Sequence, residues 1–147
     1  LRTAAHEYVL AEDYLRKSLA DQRNDIVLNE LSWALVMQQR YDEAEVYARE
    51  ALALHEQNSA AWDTLGFILM RTARIDEAER ALRRAIGLNF NNGAAVLHLG
   101  EILVGKQELD QAEDIVNYLQ KRRPQLPVQL QEELDELERR LRRARDT

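Results

Sequence analysis

The sequence predicts an all-α chain of stacked helix pairs, and three observations carry that prediction. First, the 147 residues hold only 5 Gly and 2 Pro, and Ala, Leu, Glu, Arg and Gln dominate. Those abundant residues lose least on entering a helix. Second, Tyr41-Asp42-Glu43-Ala44-Glu45 recurs as Ile75-Asp76-Glu77-Ala78-Glu79 and as Leu109-Asp110-Gln111-Ala112-Glu113. The offset is the same both times, 75 − 41 = 109 − 75 = 34. Third, every copy is flanked by apolar residues three and four apart, the spacing of one helix face. A fixed period of this length marks a repeat architecture, in which each unit buries its apolar face only against its neighbours.

The elements follow in order from that period. A leading helix is expected over 3–20, where Ala11, Leu15 and Ser18 precede Ala44, Ala48 and Ala51 by one position less than the period. It reads as the second helix of an incomplete repeat. Three full repeats occupy 24–57, 58–91 and 92–125, with helices expected at 24–38 and 41–54, 58–71 and 75–88, 92–104 and 108–121. In the middle copy Trp62, Leu65 and Leu69 form one stripe, and Ala78, Leu82 and Ala85 form the next. Gly66 and Gly100 take matching places, with Ser32 in the first copy, and a small side chain there lets the paired helix approach closely. Ala44, Ala78 and Ala112 do the same from the other side. Asp42, Asp76 and Asp110 put an acid at the start of each second helix, where it complements exposed N–H groups. Asn58 and Asn91-Asn92-Gly93 are turn residues. Pro127 opens a last helix over 127–144, whose Leu130, Leu134, Leu137, Leu141 and Ala144 form one stripe and read as a cap.

These residues resemble the tetratricopeptide repeat (TPR) pattern W-x2-L-G-x2-Y…A-x3-F…P. The middle copy supplies Trp62, Leu65-Gly66, Leu69, Ala78, Leu82 and Ala85, then Phe90 where the pattern has proline. The first supplies Leu28, Leu31-Ser32, Leu35, Ala44, Ala48 and Ala51, then Glu56. The third supplies Val96, Leu99-Gly100, Leu103, Ala112, Val116 and Leu119, and ends on Pro124. The resemblance covers roughly residues 24–125 and implies a right-handed α-solenoid in a single domain, 1–147. The stretches Leu31 to Leu35 and Asp63-Thr64-Leu65-Gly66 look similar to bacterial members.

Composition excludes several classes. A net charge of −6 argues against unspecific binding to nucleic acid or anionic membranes. No run reaches the roughly eighteen apolar residues of a membrane span, so no direct membrane insertion is expected. The chain has no cysteine, which fits the cytoplasm and equally a bacterial periplasm. It opens on Leu1-Arg2-Thr3 and reads as an excised fragment. His6, His55 and His98 stand far apart, and Ser18, Ser32 and Ser59 have no base and orienting acid at sensible spacing. No catalytic site, metal site or cofactor is expected, and the chain reads as a non-enzyme. The run Arg139-Arg140-Leu141-Arg142-Arg143-Ala144-Arg145 follows Glu132, Glu133, Asp135, Glu136 and Glu138 on one helix. Acids early and bases late suit the helix dipole, so the structural reading outweighs a basic patch. The leucine stripe beneath leaves open a weak homodimer through this helix.

The resemblance also implies a concave groove lined by the first helix of each repeat, holding a peptide or partner helix. By this register the groove residues are Asn29, Trp33, Val36 and Met37, then Asp63, Phe67 and Met70, then Leu97, His98, Glu101 and Val104. Family members that clamp a terminal carboxylate place Lys, Arg and Asn here. This chain has Asp63, Leu97 and Glu101 instead, so that clamp is not expected. An apolar strip edged with acid suits an amphipathic helix or a hydrophobic segment with basic flanks. Trp33 and Phe67 could equally pack between repeats. The expected role is a protein-interaction scaffold. The alternative is a regulatory or oligomerising segment of a larger enzyme or envelope assembly. An RNA-binding helical repeat fails for want of bases along the groove.

Overall fold

Three asparagines, each one period after the last, start three helices in the same way. A computed structural model describes residues 4–147, with side chains from His6 onward. The expected start of the leading helix at residue 3, and the opening Leu1-Arg2-Thr3, lie outside the described residues. Asn24, Asn58 and Asn92 each accept a hydrogen bond at Oδ1 from the backbone N–H three residues on, at 2.9, 3.0 and 3.1 Å. Each thereby satisfies one of the N–H groups a helix leaves unpaired at its start. Two of them also reach back one repeat. Asn58 Nδ2 donates to Asp25 at 2.8 Å and Asn92 Nδ2 donates to Ser59 at 3.0 Å. The caps therefore form a ladder between successive repeats.

The helices so started are α2 (Asp25–Val36), α4 (Ser59–Arg71) and α6 (Gly93–Gly105). Each is followed by its partner: α3 (Tyr41–Leu54), α5 (Ile75–Leu88) and α7 (Leu109–Lys121). Before them stands α1 (Ala4–Asp21), and after a 3-10 turn at Arg123–Gln125 comes α8 (Val128–Arg145). There is no strand among the described residues, and the architecture is an all-α solenoid. Asp42, Asp76 and Asp110 do lie in the first turns of α3, α5 and α7, but no side chain caps those helices.

The left-handed position in the turn after each first helix carries no glycine, although its geometry favours one. Gln39, Ala73 and Gln107, again one period apart, have φ of 59°, 63° and 63°. The next residue, Arg40, Arg74 or Glu108, donates its N–H back to Leu35, Leu69 or Leu103 at 3.0, 2.9 and 2.9 Å. This left-handed turn closes the helix end and reverses the chain within a few residues.

The small residues permit close helix contact. A Cβ on Gly66 would lie 2.6 Å from Leu82 Cγ, and one on Gly100 would lie 2.8 Å from Leu137 and 3.0 Å from Ile115. Ser32 fills the equivalent place with a hydroxyl that donates to the Ala44 carbonyl at 2.6 Å. Ala44, Ala48, Ala78, Leu82 and Ala112 are fully buried opposite them.

A second relation links repeats along the outer helices. Glu12 binds Arg40, Glu45 binds Arg74, Glu79 binds Lys106 and Glu113 binds Arg145, each acid meeting a base from the following unit. Such partly exposed pairs contribute little singly, but they recur at every junction. In α1 the buried residues are Glu12, Leu15 and Leu19. Ser18 is half-buried and donates to the Tyr14 carbonyl at 3.1 Å.

At the far end α8 packs on α6 and α7 and buries Leu134, Leu137 and Leu141. The leucines that a dimer seam would use are thus consumed within this chain. Four of the five late arginines are paired with acids, Arg139 and Arg143 with Glu136, Arg142 with Glu138 and Arg145 with Asp110. No described helix is long and apolar enough to cross a membrane.

Candidate functional site: a walled groove on the inner helices

Residues one turn apart on α2, α4 and α6 face a common cavity of about 820 Å³. Its floor holds a row of rings. Trp33 meets Phe67 edge-on with centroids 5.5 Å apart, and Phe67 meets His98 at 4.9 Å. The half-buried Trp33 and Phe67 pack on the core and also line the cavity. Edge-on ring contacts of this kind hold aromatic side chains in place without covering their faces. Arg71, one turn along from Phe67, sets its guanidinium 5.1 Å from that ring.

Under the rings lies a buried polar contact. His98 Nδ1 is 2.8 Å from Asp63 Oδ1, with both residues buried. Burial opposes a charge on His98, but the hydrogen bond and charge of Asp63 outweigh it, with help from Glu101 and Glu133. The imidazole is therefore pushed above its ordinary value. Burial raises the Glu101 carboxyl; His98 and Arg140 oppose the rise and Glu133 adds to it. Asn29 contributes a buried Oδ1 that accepts no hydrogen bond.

Seven of the eleven residues expected in the groove line this cavity: Asn29, Trp33, Met37, Asp63, Phe67, His98 and Glu101. Met70 faces a neighbouring hollow with Ile75, Ile102 and Lys106. Leu97 corrects the sequence reading, because it is 1% exposed and belongs to the core. Val36 and Val104 are buried too. The helical register places these three a third of a turn off the groove, where the neighbouring helices cover them. Asp63 also differs from expectation, since His98 occupies its carboxylate.

The period could not show the end walls. Tyr8, Ala11 and Leu15 of α1 close one end, and Pro127 with Leu130 and Glu133 of α8 closes the other. The acids lining the cavity are Asp63, held by His98, and Glu30, Glu101 and Glu133, against one Arg or Lys, Arg71. No group of three or more His, Asp or Glu among the described residues is placed to hold a metal ion.

Solved structures share this fold. The Arabidopsis OM64 TPR domain superposes with a TM-score of 0.70 at 18% identity, over 81% of this chain and 94% of that one. A tetratricopeptide repeat protein from Parabacteroides merdae gives 0.72 at 16% identity, over 95% of this chain and 54% of that one. The Pseudomonas aeruginosa pilF structure gives 0.64 at 26% identity, over 77% of this chain, which spans 56% of that protein. No curated protein sequence matches. Residues 37–135 match a family model described as the Cilia and flagella-associated protein 70 middle TPR-like domain. That match covers most of the chain and coincides with the repeats, their caps and their close helix contacts, so the chain belongs to the tetratricopeptide repeat family.

Proposed function

We propose that the groove holds a short amphipathic helix or hydrophobic segment of another protein, one with basic residues beside its apolar face. Folds of this kind generally mediate interactions between proteins. The observation that carries the reading is the row Trp33, Phe67 and His98 on the floor of an open, walled cavity. Rigid aromatic surface offers large contact area at low entropic cost, and such anchors commonly dominate binding energy. The excess of Glu30, Glu101 and Glu133 over Arg71 favours a basic flank. The fold supplies a binding surface, which supports the role of a scaffold. Self-association through α8 is not part of this reading, since Leu134, Leu137 and Leu141 are already buried.

Selection from a displayed peptide library tests it. Enriched peptides should carry apolar residues at i, i+3 or i+4, and i+7, with Lys or Arg beside them. They should be lost on the double variant Trp33→Ala, Phe67→Ala while its helical circular dichroism is kept. Enrichment of acidic peptides, or equal binding to the double variant, would overturn the proposal.

A further inference from the structure

A second hollow lies on the opposite side of α6 and shares no residue with the groove. Its floor is Val96, Leu99 and Leu103, its sides are Ile86 of α5 and Ile115 of α7, and its volume is about 390 Å³. The repeat itself explains why it is there. Val96 stands one full period after Trp62. One repeat earlier that position carries an indole, packed on the core, with Nε1 donating to the Glu56 carbonyl at 2.7 Å. At the later junction the indole is replaced by an isopropyl group. Phe90, one full period after Glu56, offers its carbonyl to the Tyr118 hydroxyl at 3.3 Å instead. Of the three repeats the middle one alone holds a ring at this position; the first holds the fully buried Leu28 and the third the smaller Val96.

Two more features mark this surface. The Phe90 ring is 71% exposed at the rim, in a position where the repeat pattern has proline. On its other side a hollow of about 650 Å³ runs past Lys121 and Arg122. The Arg122 guanidinium lies 3.7 Å from the centre of the Tyr118 ring. Arg74, Lys106, Arg123 and Arg145 are each held by a carboxylate. Lys121 and Arg122 enter none of the ion pairs among the described residues. Arg83 at the edge is held by Glu79, and Asp114 is the acid among the residues lining the two hollows. The polarity is opposite to that of the groove.

We infer that the surface over Val96, between α5 and α7, docks a short acidic segment of a partner protein, with an aromatic side chain seated on Val96 and adjacent carboxylates against Lys121 and Arg122. The apolar floor at the place where the preceding repeat seats Trp62 selects the aromatic group, because a ring laid there adds packing contacts. The two bases, free of carboxylate partners, select the acids and repel a basic segment. The inference is independent of the groove and extends the scaffold to two sites of opposite preference.

The test is a titration of the 15N-labelled protein with a short synthetic peptide holding one Trp followed by a run of Glu, beside the same peptide with Lys for Glu. Amide shifts should cluster at Phe90, Val96, Tyr118 and Lys121 with the Glu peptide only. Val96→Trp, which restores the residue of the preceding repeat, should weaken binding about tenfold or more by filling the hollow. Phe90→Ser, at an exposed loop position, serves should Val96→Trp disturb the fold, and is expected to weaken binding severalfold. The groove variant Trp33→Ala, Phe67→Ala should bind this peptide as the parent does. Absence of shifts, shifts confined to the groove, equal binding of the Lys peptide, or unchanged binding by both hollow variants would each overturn the inference. So would shifts at these residues that grow with protein concentration alone, which would make a second copy the occupant.

Discussion

Asp63 and His98 meet at 2.8 Å beneath the aromatic floor and tie α4 to α6. The contact fixes the imidazole on which Phe67 leans, so the shape of the groove depends on a titratable pair. Asp63→Ala should leave the His98 ring buried without its partner, at a cost of about 1–3 kcal/mol by chemical denaturation. A variant as stable as the parent would show that the pair is dispensable.

The pair also gives stability a sign with pH. His98 titrates above its ordinary 6.5 in the folded chain, so the folded state holds the proton more tightly than the unfolded state. Its contribution is fully present below about pH 6.5 and is lost as pH rises through the folded value. The groups facing it are Asp63, Glu101 and Glu133. Glu101 also titrates above its ordinary 4.5, so its loss falls in a lower window, starting near that value. The melting temperature should fall from pH 6 toward pH 9, and His98→Gln should flatten that slope while leaving the lower window. An equal slope in His98→Gln would refute the assignment.

Gln39, Ala73 and Gln107 hold positive φ without being glycine. A side chain costs roughly 1 kcal/mol or somewhat more in that conformation. Ala73→Gly should therefore raise stability by about 0.5–1 kcal/mol, and the three changes together should act nearly additively, since they lie in separate repeats. Thermal melts of the single and triple variants read this directly. A loss of stability in all three singles would mean that added freedom in the unfolded chain outweighs the relief.

Gly66 leaves no room for a side chain, with Leu82 Cγ 2.6 Å from where a Cβ would sit. Gly66→Ala should cost about 1–3 kcal/mol through overpacking, despite the better helix propensity of alanine. Combining it with Leu82→Ala should cost less than the sum of the two single changes. Simple additivity in that cycle would deny the contact.

Removing residues 127–147 should do more than shorten the chain. Leu134, Leu137 and Leu141 are buried, and burial of such side chains contributes about 1.5–3 kcal/mol each. The truncated protein should aggregate or lose much of its thermal stability, as size-exclusion chromatography and melting would show. It should also bind groove peptides less well, because Leu130 and Glu133 form an end wall. A monomer melting within a degree or two of the parent would show that α8 is no cap.

The sequence by itself determined the elements that depend on local spacing. The repeat period, the apolar stripes and the small residues at Ser32, Gly66 and Gly100 follow from helix geometry, which relates residues three and four apart whatever surrounds them. Asn24, Asn58 and Asn92 stand at the same period, but the sequence showed Asn58 and Asn92 only as turn residues, and the caps and the bonds back to Asp25 and Ser59 came from the structure. Gln39, Ala73 and Gln107 carry no residue signal at all, because neighbouring helices hold them where glycine would normally stand. Only the tertiary structure decided which side of each inner helix stays open. It buried Leu97, joined Asp63 to His98, and brought Glu133 of α8 beside Glu101 of α6. The reason is physical: a period says which residues share a register, but exposure depends on which distant helix covers that register, and the terminal helices α1 and α8 stand partly outside the period.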